Sequence, residues 1–133
     1  NLGGVVNHEI YFNSISDKGN IYPSGKLKED IDVYFGSYDN FKREFKRSAN
    51  SLKGSGYTFL VKDKNNKLLI INTSNQDTPY YYGFVPIMGL DLWEHAYYLH
   101  YKDNRRLYID NFFKIVDFNK IGAWYDNEKR TRF

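Results

Sequence analysis

No cysteine occurs among the 133 residues of this sequence. That absence excludes disulfides, a thiolate nucleophile, and zinc–thiolate or iron–sulfur sites, so any bound metal must take nitrogen and oxygen donors. Histidine is scarce, with three copies, which keeps the set of nitrogen ligands short. No apolar run approaches the roughly 18 residues of a membrane span, and the mean hydropathy of −0.67 agrees. Neither sign of charge prevails. Nineteen Lys and Arg against sixteen Asp and Glu leave +3, too little to suggest a nucleic-acid partner on charge alone. Asn1–Ile10 has neither the basic region nor the apolar stretch of a signal peptide. With Asn rather than Met first, it reads as a chain entered in mid-course. The lack of cysteine suits several compartments, the cytoplasm being slightly favoured.

Aromatic residues are plentiful: 13 Tyr, 10 Phe and 2 Trp, 19% of the chain. That share excludes intrinsic disorder, and the length suits one domain with a core that needs no staples.

Along the chain, Val5, Val6, Ile10, Tyr11, Phe12 and Ile15 recur at helical intervals. They predict a helix already under way at the first residue and ending near Ser16–Gly19. Pro23 and Gly25 mark a loop, Leu27, Ile31 and Phe35 a second helix over Lys26–Phe35, and Ser37 an N-cap for a third over Tyr38–Leu52. That third helix sets Phe41 and Phe45 on one face beside Lys42, Arg43, Lys46 and Arg47, which suit a solvated face better than a basic binding patch. After Gly54-Ser55-Gly56 the period changes. Tyr57–Val61 and Leu68–Ile71 flank Lys62–Lys67, with Asn65-Asn66 at its centre, and predict a hairpin. A third extended run, Phe84–Met88, contains Pro86 and so suits an edge or a strand end. Asp91, three before Glu94, has the pattern of a helix N-terminus leading into Trp93–Tyr101. Helices over Arg106–Phe113 and Asn119–Trp124 and a charged tail, Asn127–Phe133, complete the chain. The expected class is α+β, a small three-stranded antiparallel sheet flanked by helices.

Chemistry concentrates in His8, Asp91 and His95. Asp91 and His95 stand four apart at a strand-to-helix junction, and His8 would arrive from the first helix. Two imidazoles and a carboxylate suit iron or manganese better than an ion that wants oxygen alone. Each residue also has an ordinary reading: Asp91 as an N-cap, and the two histidines as hydrogen-bonded core or surface residues.

The segment Gly89-Leu90-Asp91-Leu92-Trp93-Glu94-His95-Ala96-Tyr97-Tyr98 closely resembles the signature of the iron/manganese superoxide dismutase family. In the family's order, Gly3–His8 resembles its second metal-binding helix, Gly54–Val61 its first strand, Thr73–Asp77 the turn after its second strand, and Tyr101–Tyr108, with Arg105, the segment after the signature helix.

The resemblance implies disproportionation of superoxide to oxygen and hydrogen peroxide by a homodimer with one manganese or iron ion per subunit, and no nucleic-acid or membrane partner. It divides the chain into 1–16, the remnant of an N-terminal metal-binding helical hairpin that is otherwise missing, and 17–133, the C-terminal α/β domain. It matches His8, Asp91 and His95 to three of four protein ligands, the fourth being a histidine of the hairpin. His100 falls where the family often has Gln and is not expected to substitute. Gln76 matches the proton donor of manganese-type members, and Gly4 occupies the position from which iron-type members usually supply it, so the pair favours manganese. Trp93 and Tyr57 would wall the pocket, Tyr57 and Phe59 each standing where the family commonly has Trp. Glu94 would reach the partner subunit's ligand histidine, and Tyr98 would pair with a hairpin histidine. A truncated chain would then show reduced activity.

Plainer readings stand beside these: Gln76 as a turn residue, Trp93 and Tyr57 as core aromatics, and Glu94 as the closing half of a capping box with Asp91. Two other functions compete, a family member with a structural or interaction role and weak or no catalysis, and an iron-dependent oxygenase with a two-histidine, one-carboxylate triad. The usual pattern of the latter sets one His and the acid two apart, not four.

Overall fold

The computed structural model describes residues 2–127. Three helices precede a three-stranded antiparallel sheet and three follow it: α1 (Leu2–Ser14), α2 (Gly25–Phe35), α3 (Tyr38–Ser51), β1 (Gly56–Lys62), β2 (Leu68–Ser74), β3 (Val85–Asp91), α4 (Glu94–Tyr101), α5 (Arg105–Ile115) and α6 (Phe118–Asn127). A short 3-10 turn, Pro79–Tyr82, which periodicity did not reveal, links β2 to β3. The class is α+β, as expected. Of the expected tail, Asn127 closes α6, and 128–133 lie outside the described residues, as does Asn1. No helix among the described residues is long and apolar enough to cross a membrane.

Local chemistry sets most boundaries. Ser37 caps α3, its hydroxyl accepting from the Asn40 N–H at 3.0 Å. Phe41, Phe45 and Ala49 then fall on one buried face of α3 and pack with Phe112 and Phe113 of α5. In the hairpin turn, Asp63 Oδ1 accepts from the N–H groups of Asn65 (2.8 Å) and Lys67 (2.9 Å), and Asn66 takes the left-handed conformation (φ 65°) that asparagine tolerates better than most residues.

The sheet order is β2-β1-β3, so Pro86 does lie on an edge strand. β3 runs three residues past the expected end at Met88, through Gly89 and Leu90 to Asp91. Tyr57, Thr58, Phe59 and Leu60 pair with Asp91, Leu90, Gly89 and Met88, and a bulge then brings Val61 opposite Pro86. Alternation divides the strands between two packed clusters. Leu60, Met88 and Leu90 join the main core with α3 and α5, while Tyr57, Phe59 and Val61 pack with Ile10 of α1. Gly89 permits the close approach of α1, since a Cβ there would meet Phe59 Cε1 at 2.8 Å and Ile10 Cγ2 at 3.2 Å.

Small and polar residues carry much of the buried face of α1: Gly3, Gly4, Asn7 and Ser14, with Ile10 and Tyr11. Val5 and Phe12, which helped to predict this helix, are more than half exposed (55% and 61%). Ser14 fixes the helix to β3, accepting from the Gly89 N–H at 3.0 Å and donating to Ile10 O at 2.8 Å.

The N-cap expectation for Asp91 is corrected. Asp91 is the last residue of β3, and the N-cap of α4 is Trp93, which makes no side-chain capping bond. A capping box between Asp91 and Glu94 therefore does not form. Asp91 instead accepts from the Trp93 N–H through Oδ1 at 2.9 Å, a local turn bond.

Candidate metal centre

Strand pairing and helix packing bring the three expected ligands together. Asp91 Oδ2 lies 3.2 Å from His8 Nε2 and 2.8 Å from His95 Nε2, and one donor atom from each residue falls within 4.8 Å of the others. The imidazoles meet edge-on, with centroids 5.4 Å apart. The carboxylate is buried (2% exposed), whereas the histidine side chains are 40% and 52% exposed. His100, on the exposed part of α4, is not in the group.

The donor set passes a chemical test for a metal. A buried carboxylate is costly unless its charge is compensated, and the ion-pair partners of Asp91 are the two imidazoles. Each Nε2 is able to offer a lone pair on the side of that same carboxylate oxygen, and a cation among the three atoms would satisfy all of them. Nitrogen and oxygen donors of this kind suit a first-row transition ion.

Backbone anchoring makes Asp91 rigid. The Tyr108 hydroxyl donates to Asp91 O at 2.7 Å and lies 3.2 Å from the Tyr11 hydroxyl. Because the carbonyl takes the Tyr108 proton, Tyr11 supplies the proton between the two phenols. Burial raises both phenols above their ordinary value, with Asp91 adding to the effect. Arg105 extends the anchor, donating to Leu52 O (2.6 Å), Leu92 O (2.9 Å) and Gly54 O. One guanidinium thereby ties the start of α5 to the loop before β1 and to the residue after Asp91.

The loop after β2 closes another side. Asn7 Nδ2 donates to Asp77 O at 2.8 Å, holding the loop on α1 one residue before His8. Gln76 reaches the helix one turn earlier, where a Cβ on Gly4 would meet its Oε1 at 2.8 Å. That buried oxygen makes no hydrogen bond among the described residues. Trp93 stacks on His95 (6.0 Å between centroids, 11°), and its indole N–H donates to Asn75 O at 3.1 Å. Tyr57 is fully buried, with its ring 6.1 Å from that of His8. Burial, reinforced by the Asp91 charge, raises its phenol also.

Glu94 and Tyr98 sit apart from this group on exposed positions of α4, Tyr98 being 53% exposed. Sequence reasoning assigned no role to Asn7, to Tyr11 or to the Trp93 backbone N–H. Asn7 adjoins His8 in a quoted motif but has no periodic signal, and the backbone donor has none in side-chain identity.

The family described as iron/manganese superoxide dismutases, C-terminal domain, matches residues 23–123. Among curated relatives, a superoxide dismutase named as the manganese form, from Listeria ivanovii, is 41% identical over 127 residues, covering 96% of this chain and 62% of that protein. The superoxide dismutase named as manganese form 3 from Leptolyngbya boryana is 39% identical over 121 residues, covering 91% of this chain and 51% of its own length. The chain thus spans about half to three fifths of the length of these relatives.

Proposed function

The chain belongs to the iron/manganese superoxide dismutase family, and on that premise we propose that His8, Asp91 and His95 hold one manganese or iron ion for the disproportionation of superoxide to oxygen and hydrogen peroxide. The observation that carries the reading is the convergence of two Nε2 atoms on the buried Asp91 Oδ2, at 3.2 and 2.8 Å. When bound, the ion supplies the redox step by alternating between its trivalent and divalent states.

The chain's own residues do the rest. Asp91 offsets the ion's charge, held in place by the Trp93 N–H on Oδ1 and by Tyr108 on its carbonyl. Trp93 and Tyr57 limit water around the imidazoles and hold the rings in orientation. The Gln76 amide donates a hydrogen bond to solvent in the site, so that a proton is available where peroxide forms. Gly4 leaves room for that amide, and manganese rather than iron is what the family resemblance implies for this pair of residues. Glu94 and Tyr98 face away from the chain's interior, in keeping with a homodimer in which Glu94 meets the partner's ligand histidine.

Elemental analysis of the purified protein with a superoxide assay tests the reading. Stoichiometric manganese or iron with turnover that disappears on chelation is the expected result. Metal retained without turnover in the presence of the complete ligand set would favour a structural or interaction role.

A further inference from the structure

The Tyr57 hydroxyl is buried and makes no hydrogen bond among the described residues. Such a group is costly to keep, and phenylalanine fills equivalent space at Phe59, whose ring stacks on Tyr57 at 5.6 Å and 13°. The hydroxyl therefore needs a reason.

Strand register indicates one. Tyr57 and Asp91 pair directly across β1 and β3, and the Leu92 N–H donates to Gly56 O at 2.8 Å just outside the pair. This is the non-hydrogen-bonded type of antiparallel pair, in which opposed side chains approach most closely. Asp91 Oδ2 faces both imidazoles, whereas Oδ1 has the Trp93 N–H at 2.9 Å and room for a second donor. Burial, then the charge and the hydrogen-bonding influence of the nearby Asp91 carboxylate, raise the phenol above its ordinary value, which places the two side chains close together with the hydroxyl as donor.

We propose that Tyr57 is a positioning residue that gives its hydroxyl hydrogen bond to the Asp91 carboxylate in the metal-loaded protein, drawing negative charge from that ligand and raising the reduction potential of the ion. The inference rests on the metal reading above. A less anionic carboxylate stabilises the trivalent state less than the divalent one, which fixes the direction.

The test is Tyr57→Phe in the manganese-loaded protein, with metal content, reduction potential and the unfolding temperature of the metal-free form measured beside the parent. The variant is expected to keep its manganese and, without metal, to unfold at the same or a higher temperature, because it has lost a polar group with no partner. Its potential is expected to fall until the trivalent-to-divalent ratio at a fixed poise rises about tenfold, about 59 mV for one electron. An unchanged or higher potential at full occupancy overturns the proposal. So does a metal-free variant less stable than the parent, which would show the hydroxyl already engaged in the fold. A parent that retains no manganese defeats the metal reading itself, and this inference with it.

Discussion

Gly4 and Gln76 exclude one another's growth: a single carbon added to Gly4 would come within 2.8 Å of the Gln76 amide oxygen. The obstructing atom is the end of a flexible side chain, so Gly4→Ala should move Gln76 rather than break the fold. Alanine also favours a helix interior over glycine by roughly 1 kcal/mol. The variant is expected to unfold at an equal or higher temperature while losing most superoxide turnover. Calorimetry and an activity assay on one preparation check this, and undiminished turnover would remove Gln76 from the proposed proton supply.

Asp91→Ala and His95→Ala should each abolish stoichiometric metal retention, because each deletes a donor atom of the convergent group. Elemental analysis after dialysis reads the result directly. Full occupancy in either variant would contradict the ligand assignment.

Arg105→Ala should destabilise the fold by about 2–4 kcal/mol, since three backbone carbonyls lose a charged donor together. Arg105→Lys should recover only part, an ammonium being unable to reproduce the guanidinium fork. Denaturant midpoints compare the three proteins, and a loss within experimental error would show that water replaces the guanidinium freely.

Glu94→Ala should weaken self-association and lower metal content together. Within one chain the first-turn carboxylate contributes only the helix-dipole effect, about 0.3–1 kcal/mol. Sedimentation showing the parent's oligomer, with normal metal content, would refute the interface role.

Alkaline pH should unfold the protein through its buried phenols. Tyr38 and Tyr108 are raised well above the ordinary value of 10.0, and Tyr11 is raised also, burial being the largest cause in each. Above that value the unfolded chain has released protons that the native state keeps, so unfolding gains on folding as pH rises. Below it the phenols are protonated in both states and their contribution is complete. Urea midpoints should fall from about pH 10 upward, with ultraviolet absorbance showing these tyrosines ionising together with unfolding. Ionisation of all tyrosines near the ordinary value, with the fold intact, would contradict this.

Apolar period and turn chemistry were sufficient for α2, α3 and the hairpin, because Leu27, Ile31, Phe41 and Phe45 do face the core and Ser37 does cap. They served α1 less well. Its contact with β3 depends on Gly3, Gly4, Asn7 and Ser14, which carry no hydrophobic signal. The convergence of His8 with Asp91 and His95 spans 83 residues between His8 and Asp91. Spacing alone left it open, and the motif resemblance indicated it. Asp91 read as a helix cap because local pattern registers three-residue intervals. Whether a strand continues to that point depends on its pairing with Tyr57, which is a long-range matter.

The bulge opposite Leu60 and Val61 divides β3 into two stretches with different tolerance for change in chain length. Ahead of it, around Val85 and Pro86, one residue gained or lost can be absorbed by widening or erasing the irregularity. Beyond it, from Met88 onward, each position is committed to a face, and a shift by one would present Leu90 or Leu92 beside His8 while turning Asp91 into the apolar core. Length variation among descendants of this sequence should therefore collect before the bulge and be absent between Met88 and His95.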